Sequence, residues 1–399
     1  MSKVLKGIKI LDISQFKAGP TCAQILADMG ADVIRVERPA GKNSDRYLAP
    51  YTPNGQSLYL TYTCRNKKGI TLDLTKMEGK EIFDKLVERS DVVIENLGPV
   101  GNKKLAVDYQ SLKQIKKDII VVSVSGFGQY GPYSKRLGFD AIAQAMSGLM
   151  WVTGFPEEKR PERMGVSWVD YATGVYGALG TMFALYHRDK TGKGQLVDVS
   201  LLDTALSFSE SIWGEFKIAK QLRPKVGNAN VLTAPYDAYQ AKDGWVFIGT
   251  ATSKQWESLC SVTGKQKLVN DHKFKTIRDR CKLENLPFFS EWLNSWVADK
   301  KVDEVVKKLN NVGVPCAPVL TLTQVLSDPH VKERKMVVEV ERPGIGKIPI
   351  VGIPIKLSET PGEIKNLEPA VGEHNEDVYG NILGLAPSDI LLLKEKGVI

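Results

Sequence analysis

Short apolar runs and one-sided amphipathic stretches alternate along the first half of this chain. Residues 8–13 form an apolar run that ends in a loop at 14–19, and Pro20 then suits the first turn of a helix reaching about Met29. Gly30 closes that helix, and residues 32–37 read as the next strand. Thr75 and Glu78 have the spacing of a capping box, and Ile82, Phe83, Leu86 and Val87 then fall on one helix face. Residues 91–95 and 119–124 are two further buried-strand runs. Repeated β-α-β units predict an α/β fold built on a Rossmann-like parallel sheet with helices on both faces. Such sheets collect ligands at the carboxyl ends of their strands, which directs attention to Lys17, Arg38 and Asn96.

A helix starting near Asp170 and running to about His187 has a small-residue face formed by Ala172, Gly174, Gly177, Ala178, Gly180 and Ala184. Glycine costs helix stability, so several in one helix predict the close approach of another backbone. A strand is expected at 196–200 and a longer helix at about 202–219. From about 227 the chain changes character and carries its own strand at 245–248, which predicts a second, smaller α+β domain. The expected organisation is a large domain over 1–225, the small domain over 226–329, and a segment over 330–399 that returns to the large domain and ends in a helix near 387–396.

A length of 399 residues exceeds one ordinary core and agrees with two domains. No apolar stretch has the length of a membrane helix or a leader peptide, so no membrane association is expected. The five cysteines are scattered without a CxxC pair, which fits reduced thiols and a cytoplasmic setting, and the four histidines form no ligand pair, so no metal is expected. The net charge of +8 suits an anionic partner, but the basic residues form no arm or nucleic-acid motif, so a small phosphorylated molecule fits better than nucleic acid. Gly126-Phe-Gly128-Gln-Tyr-Gly131 matches GxGxxG. Pro132 follows its last glycine, however, and no acidic residue ends a following strand at the required distance, so a dinucleotide is not expected there.

Asp170 lies where a short apolar run meets the small-faced helix. Aspartate there reads first as a helix N-cap. It also suits nucleophilic catalysis, because a carboxylate with an ordinary pKa of about 3.9 is ionised at neutral pH and needs no separate base. Helix amides nearby would hold it in place.

An ordered set of motifs runs through nearly the whole chain. It opens with Leu-Asp-Ile-Ser-Gln-Phe-Lys-Ala-Gly-Pro20 and Gly-Ala-Asp-Val-Ile-Arg-Val-Glu-Arg-Pro39, then Arg65-Asn-Lys-Lys68 with Leu72-Asp73. It continues with Asp-Val-Val-Ile-Glu-Asn-Leu-Gly-Pro99, Ser-Gly-Phe-Gly-Gln-Tyr-Gly-Pro132, Asp-Tyr-Ala-Thr-Gly174 and Thr-Gly-Lys-Gly-Gln195, and closes with Gly-Val-Pro-Cys-Ala-Pro318 and Gly-Glu-His374. The set resembles the class III CoA-transferases, the formyl-CoA transferase/CaiB-BaiF family. The resemblance implies that Asp170 is the catalytic aspartate, moving CoA from an acyl-CoA to a carboxylic acid through mixed anhydrides and an aspartyl-CoA thioester. It implies CoA contacts at Lys17, Ala18, Arg38, Leu72, Asp73, Leu74, Thr75, Asn96, Leu97 and Lys104, with CoA as a substrate and no tightly bound cofactor. It also implies an interlocked homodimer. Asp140, Phe139 and Gln15 match positions near the active site; for Asp140 a helix-capping role is equally compatible.

Three departures narrow the expectation. The racemases of the family pair an aspartate with a histidine, and here Phe139 stands before Asp140, so a 2-methylacyl-CoA racemase is disfavoured for want of a second acid–base group. The region 227–235 lacks the glycine run of the formyl and oxalyl transferases, so that specificity is not carried over. Leu137 stands where a basic residue is expected, a place that Arg136 or Lys135 can fill. A non-catalytic CoA-binding protein is the remaining alternative.

Overall fold

The computed structural model of the chain describes residues 3–53 and 55–399. They form two compact units. The first contains Met1–Leu149, Met164–Glu210 and Lys332–Ile399, and the second contains Met150–Arg163 and Ser211–Val331.

The first unit is built on six strands: β1 (Lys9–Asp12), β2 (Asp32–Glu37), β3 (Lys67–Thr71), β4 (Val92–Glu95), β5 (Ile120–Ser125) and β6 (Leu196–Ser200). All pair in parallel, in the order β3-β2-β1-β4-β5-β6. Alternation along each strand divides the core into two layers. Ile10, Val92, Ile94, Ile120 and Val122 face one side, while Leu11, Val93 and Val121 face the other. Helices α1 (Ala18–Asp28) and α7 (Trp168–Thr191) pack together over the first layer, and α2 (Met77–Glu88) and α4 (Tyr109–Ile115) cover the second. Between these lie α3 (Gly98–Lys104) and α5 (Asp140–Met146), and a short turn, α6 (Leu149–Val152), leads into the second unit.

The small face of α7 lies against α1, as the glycine pattern predicts. A Cβ on Gly174 would lie 2.8 Å from the Thr21 side chain and 2.9 Å from the Ala18 carbonyl oxygen. One on Gly177 would lie 3.1 Å from Cys22 Sγ. The backbones approach this closely only because those methyl groups are missing.

Several expectations are corrected. The loop expected over 14–19 ends at Lys17, since the first helix begins at Ala18, which still leaves Pro20 in its first turn. Thr75 does not cap α2: its backbone N–H and its hydroxyl both donate to Asp73 Oδ1, closing a local turn, and Lys76 occupies the cap position without a side-chain bond. Strand β3 carries two lysines and a glycine and was not expected. It forms because Lys67 is fully buried and paired with Asp12 of β1 at 2.7 Å. The helix expected over 202–219 is broken into α8 (Leu201–Ser207) and α9 (Ile212–Lys217), with Glu210 at φ 48° between them. The unit boundary falls at that break, at Ser211 instead of 226, and residues 150–163 join the second unit.

The second unit holds a three-stranded antiparallel sheet, β7 (Tyr236–Ala241), β8 (Gly244–Gly249) and β9 (Cys316–Pro318). Its core includes Trp256, Phe289, Trp292 and Leu293 from α10 (Ser253–Val262) and from a helix over Leu286–Val297. The final segment returns to the first unit, where Val378, Tyr379 and Ile390 join the second core layer. Among the described residues, no helix is long and apolar enough to cross a membrane.

Candidate active site

The sheet order places four loops side by side at the carboxyl ends of adjacent strands. Residues 72–75 follow β3, Arg38 follows β2, Gln15 and Lys17 follow β1, and Asn96 and Leu97 follow β4. The sequence-predicted contacts therefore share one edge of the sheet, where parallel α/β folds bind ligands.

The β1 and β4 loops are clamped together. Asn96 Oδ1 accepts from the Gln15 N–H at 2.9 Å, and Asn96 Nδ2 donates to the Gln15 carbonyl at 2.7 Å. Phe16 then takes a left-handed backbone, φ 65°, unusual for a side chain of its size. Its N–H donates to Asp45 Oδ2 at 3.1 Å, and the same oxygen accepts from the fully buried Arg35 guanidinium at 2.8 Å. That turn delivers Lys17 at the cap position of α1. The Lys17 ammonium sits 5.6 Å from the centre of the Tyr59 ring and 5.5 Å from that of Tyr171. Ala18 is buried at the start of α1.

Asp170 lies in the first turn of α7, three residues after the cap position held by Ser167. It does not cap the helix. The amides expected to hold its carboxylate are taken by Asp140, whose Oδ2 accepts from the N–H of Val169 at 2.8 Å and of Asp170 at 3.3 Å. Asp140 Oδ1 accepts from Gln144 Nε2 at 2.6 Å, and Gln144 Oε1 accepts from the Met164 N–H at 3.0 Å. Asp140 is thus a helix cap, but for α7 and not for its own helix.

Among the described residues, nothing donates a hydrogen bond to the Asp170 carboxylate. Burial above all, and then the charge of Asp140, push its pKa up to about 6 against the pull of Lys17. It remains mainly ionised at neutral pH. A half-buried carboxylate without donors is a better nucleophile than a solvated one, because no hydrogen bonds have to break before it attacks. The hydroxyl of Tyr59 also has its pKa raised, by burial and then by Asp170.

The other predicted residues make local contacts of their own. Arg38 is exposed, with its N–H on Asn43 Oδ1 at 3.0 Å. Leu72 is buried and Leu74 joins the core beside it, while Asp73 and Thr75 form the turn described above. The N–H of Leu97 donates to Glu95 Oε2 at 2.7 Å. Lys104 ends α3 and is exposed. The Arg136 guanidinium lies 3.9 Å from the centre of the Tyr133 ring. Phe139 precedes α5 with 63% of its surface exposed. Sequence reasoning missed Asp45 and Tyr59, which lie in a polar stretch of short 3-10 turns without periodicity. Among the described residues, no group of three or more His, Cys, Asp or Glu is placed to hold a metal.

Residues 5–375 match the model of CoA-transferase family III. The chain belongs to that family. Among curated relatives, the succinyl-CoA–D-citramalate CoA-transferase of Chloroflexus aurantiacus is 33% identical over 99% of this chain and 98% of its own. The formyl-CoA:oxalate CoA-transferase of Streptomyces coelicolor is 34% identical over the full length of both chains. The human succinyl-CoA:glutarate CoA-transferase is 31% identical over 100% of this chain and 90% of its own. A crystal structure of a CaiB/BaiF family protein from Brucella suis superposes with a TM-score of 0.82 at 32% identity, covering 96% of this chain and all of that one.

Proposed function

We propose that this family III chain transfers coenzyme A from an acyl-CoA to a carboxylic acid, with Asp170 as the covalent nucleophile. The observation that carries the reading is the Asp170 carboxylate itself: half-buried, ionised and without a hydrogen-bond donor, on the helix that Asp140 caps from outside.

The reaction follows from carboxylate chemistry. An Asp170 oxygen attacks the acyl-CoA carbonyl, the C–S bond breaks, and CoA leaves as the thiolate from a mixed anhydride. The thiolate attacks the aspartyl carbonyl, the anhydride C–O bond breaks, and the donor acid leaves an aspartyl-CoA thioester. The acceptor carboxylate then attacks the thioester and displaces the thiolate. The thiolate finally takes the new acyl group and restores Asp170. Every nucleophile is already an anion, so no general base is needed. That accords with Phe139 standing where racemisation would need a histidine.

Coenzyme A is bound as a substrate along the row of loops. Arg38, Lys104 and Arg136 are cations for its phosphates, and Asn96, Leu97 and residues 72–75 line its path. Succinyl-CoA is the donor we favour, because it is named in the succinyl-CoA–D-citramalate and succinyl-CoA:glutarate relatives.

A homodimer completes the reading. On α7, opposite the buried small face, Tyr171, Val175, Leu179, Met182, Phe183 and Tyr186 are all exposed. A second copy of the chain would cover an apolar stripe that long.

Mass spectrometry after incubation with succinyl-CoA and hydroxylamine tests the nucleophile. The expected result is a hydroxamate at Asp170 in the wild type and none in Asp170→Ala. A wild type that gives no adduct, and exchanges CoA with no acid from a panel of mono- and dicarboxylates, would rule the function out.

A further inference from the structure

We infer that Lys17 is the receiver of the acceptor acid's carboxylate, a specificity-determining residue rather than a CoA phosphate contact. The inference rests on the proposed role of Asp170 and deepens it.

Three observations support it. The first is how the ammonium is held. It lies over the faces of Tyr59 and Tyr171, at 5.6 and 5.5 Å, and among the described residues it makes no hydrogen bond or ion pair. Two aromatic faces stabilise a cation without using its N–H donors, so those donors stay open to a ligand. The second is its relation to Asp170. Lys17 is near enough to draw down the Asp170 pKa, yet forms no ion pair with it. They are opposite charges in one half-buried site, and the Lys17 N–H donors are left unused by either partner. The third is the strain committed to the arrangement. Phe16 is held at φ 65° by Asp45, which Arg35 fixes, so the residue just before Lys17 is pinned.

Charge balance then assigns the occupant. In the free enzyme the Asp170 carboxylate partly compensates Lys17. Once Asp170 has become the aspartyl-CoA thioester that charge is gone, and Lys17 stands uncompensated in a partly desolvated site. The next species needed there is an anion, the acceptor carboxylate. One of its oxygens bonds to the aspartyl carbonyl carbon, the C–S bond breaks, and its electron pair leaves with CoA as thiolate. One negative charge enters and one leaves, and no proton moves. Lys17 holds the carboxylate by its other oxygen during attack.

Exchange between succinyl-CoA and 13C-succinate, with hydroxylamine trapping in parallel, tests this. For Lys17→Met, KM for succinate is expected to rise about tenfold or more, the size of one lost charge-assisted hydrogen bond, while KM for succinyl-CoA rises less than about threefold. Lys17→Arg should recover most of the loss, and Tyr59→Leu, which removes one of the two ring faces, should raise KM for succinate as well. A rise in KM for succinyl-CoA with that for succinate unchanged makes Lys17 a CoA contact and overturns the inference. A trapped Asp170 adduct in both wild type and Lys17→Met, with unchanged KM for succinate, overturns it while leaving Asp170's role intact. A wild type that forms no adduct and exchanges no acid from the wider panel overturns both.

Discussion

The Asp140 carboxylate is bonded to the backbone of Asp170 and not to its side chain. Its Oδ2 accepts from the Asp170 N–H at 3.3 Å and from the Val169 N–H at 2.8 Å. Two neighbouring aspartates are thereby driven apart in character. One is saturated with donors, and the other is left bare with its pKa at about 6. Donors at a helix start stabilise whichever carboxylate reaches them, and here the one that reaches them belongs to another helix.

The pH dependence of turnover follows. In the proposed reaction Asp170 attacks only as the carboxylate, so kcat/KM for acyl-CoA should fall as pH drops through about 6. Asp140→Asn removes the charge that raises this pKa and should move the acid limb to lower pH. Lys17→Met removes the charge that lowers it and should move the limb to higher pH. Rate profiles of the three proteins check this; shifts in the same direction would contradict the electrostatic account.

Asp140 should also matter to folding. In Asp140→Ala the start of α7 loses its cap, and Gln144 Nε2 loses its partner. The expected loss is about 1–2 kcal/mol from the cap, visible in urea unfolding. Asp140→Asn keeps an acceptor oxygen for the helix and should lose less.

Asp170→Asn should be inactive and yet more stable than the wild type. A carboxyl whose folded pKa is raised costs stability when ionised. That cost is absent below its unfolded pKa of about 3.9, grows as pH rises, and is complete above about 6. Thermal melts should therefore show a gain on the order of 1–3 kcal/mol at pH 7.5 that vanishes near pH 4. An equal gain at both pH values would count against a buried charge as its source.

Gly174→Ala should destabilise the first unit. The added Cβ meets Thr21 at 2.8 Å and the Ala18 carbonyl at 2.9 Å, so α1 must shift, at about 1–3 kcal/mol. Because Lys17 adjoins Ala18, turnover should fall as well. Gly214→Ala, whose Cβ would meet nothing within 4 Å, is the control and should leave the melting temperature unchanged or slightly raised.

Much of this was legible before the structure. Uninterrupted apolar runs such as that of β5 declare a strand buried on both faces, and the glycines of α7 declare a close neighbour. Strand β3 was hidden because Lys67 reads as a surface residue, and only Asp12, fifty-five positions earlier, makes its burial tolerable. The pairing of Asp140 with the Asp170 helix was hidden for the same reason, since it joins residues thirty positions apart through backbone amides that no side-chain pattern encodes. The motif set singles out Asp170 as the proposed nucleophile; the cap reading failed because the cap comes from elsewhere.

The glycines of α7 that face α1 have a consequence beyond packing. Lys17 stands at the head of α1 and Asp170 in the first turn of α7, and the contact at Gly174 joins those two helix starts directly. The separation between the cation and the proposed nucleophile is therefore a helix-to-helix packing distance, fixed in the solid part of the fold. Surface loops can then diverge to admit acids of different length and shape without retuning the chemistry beneath them.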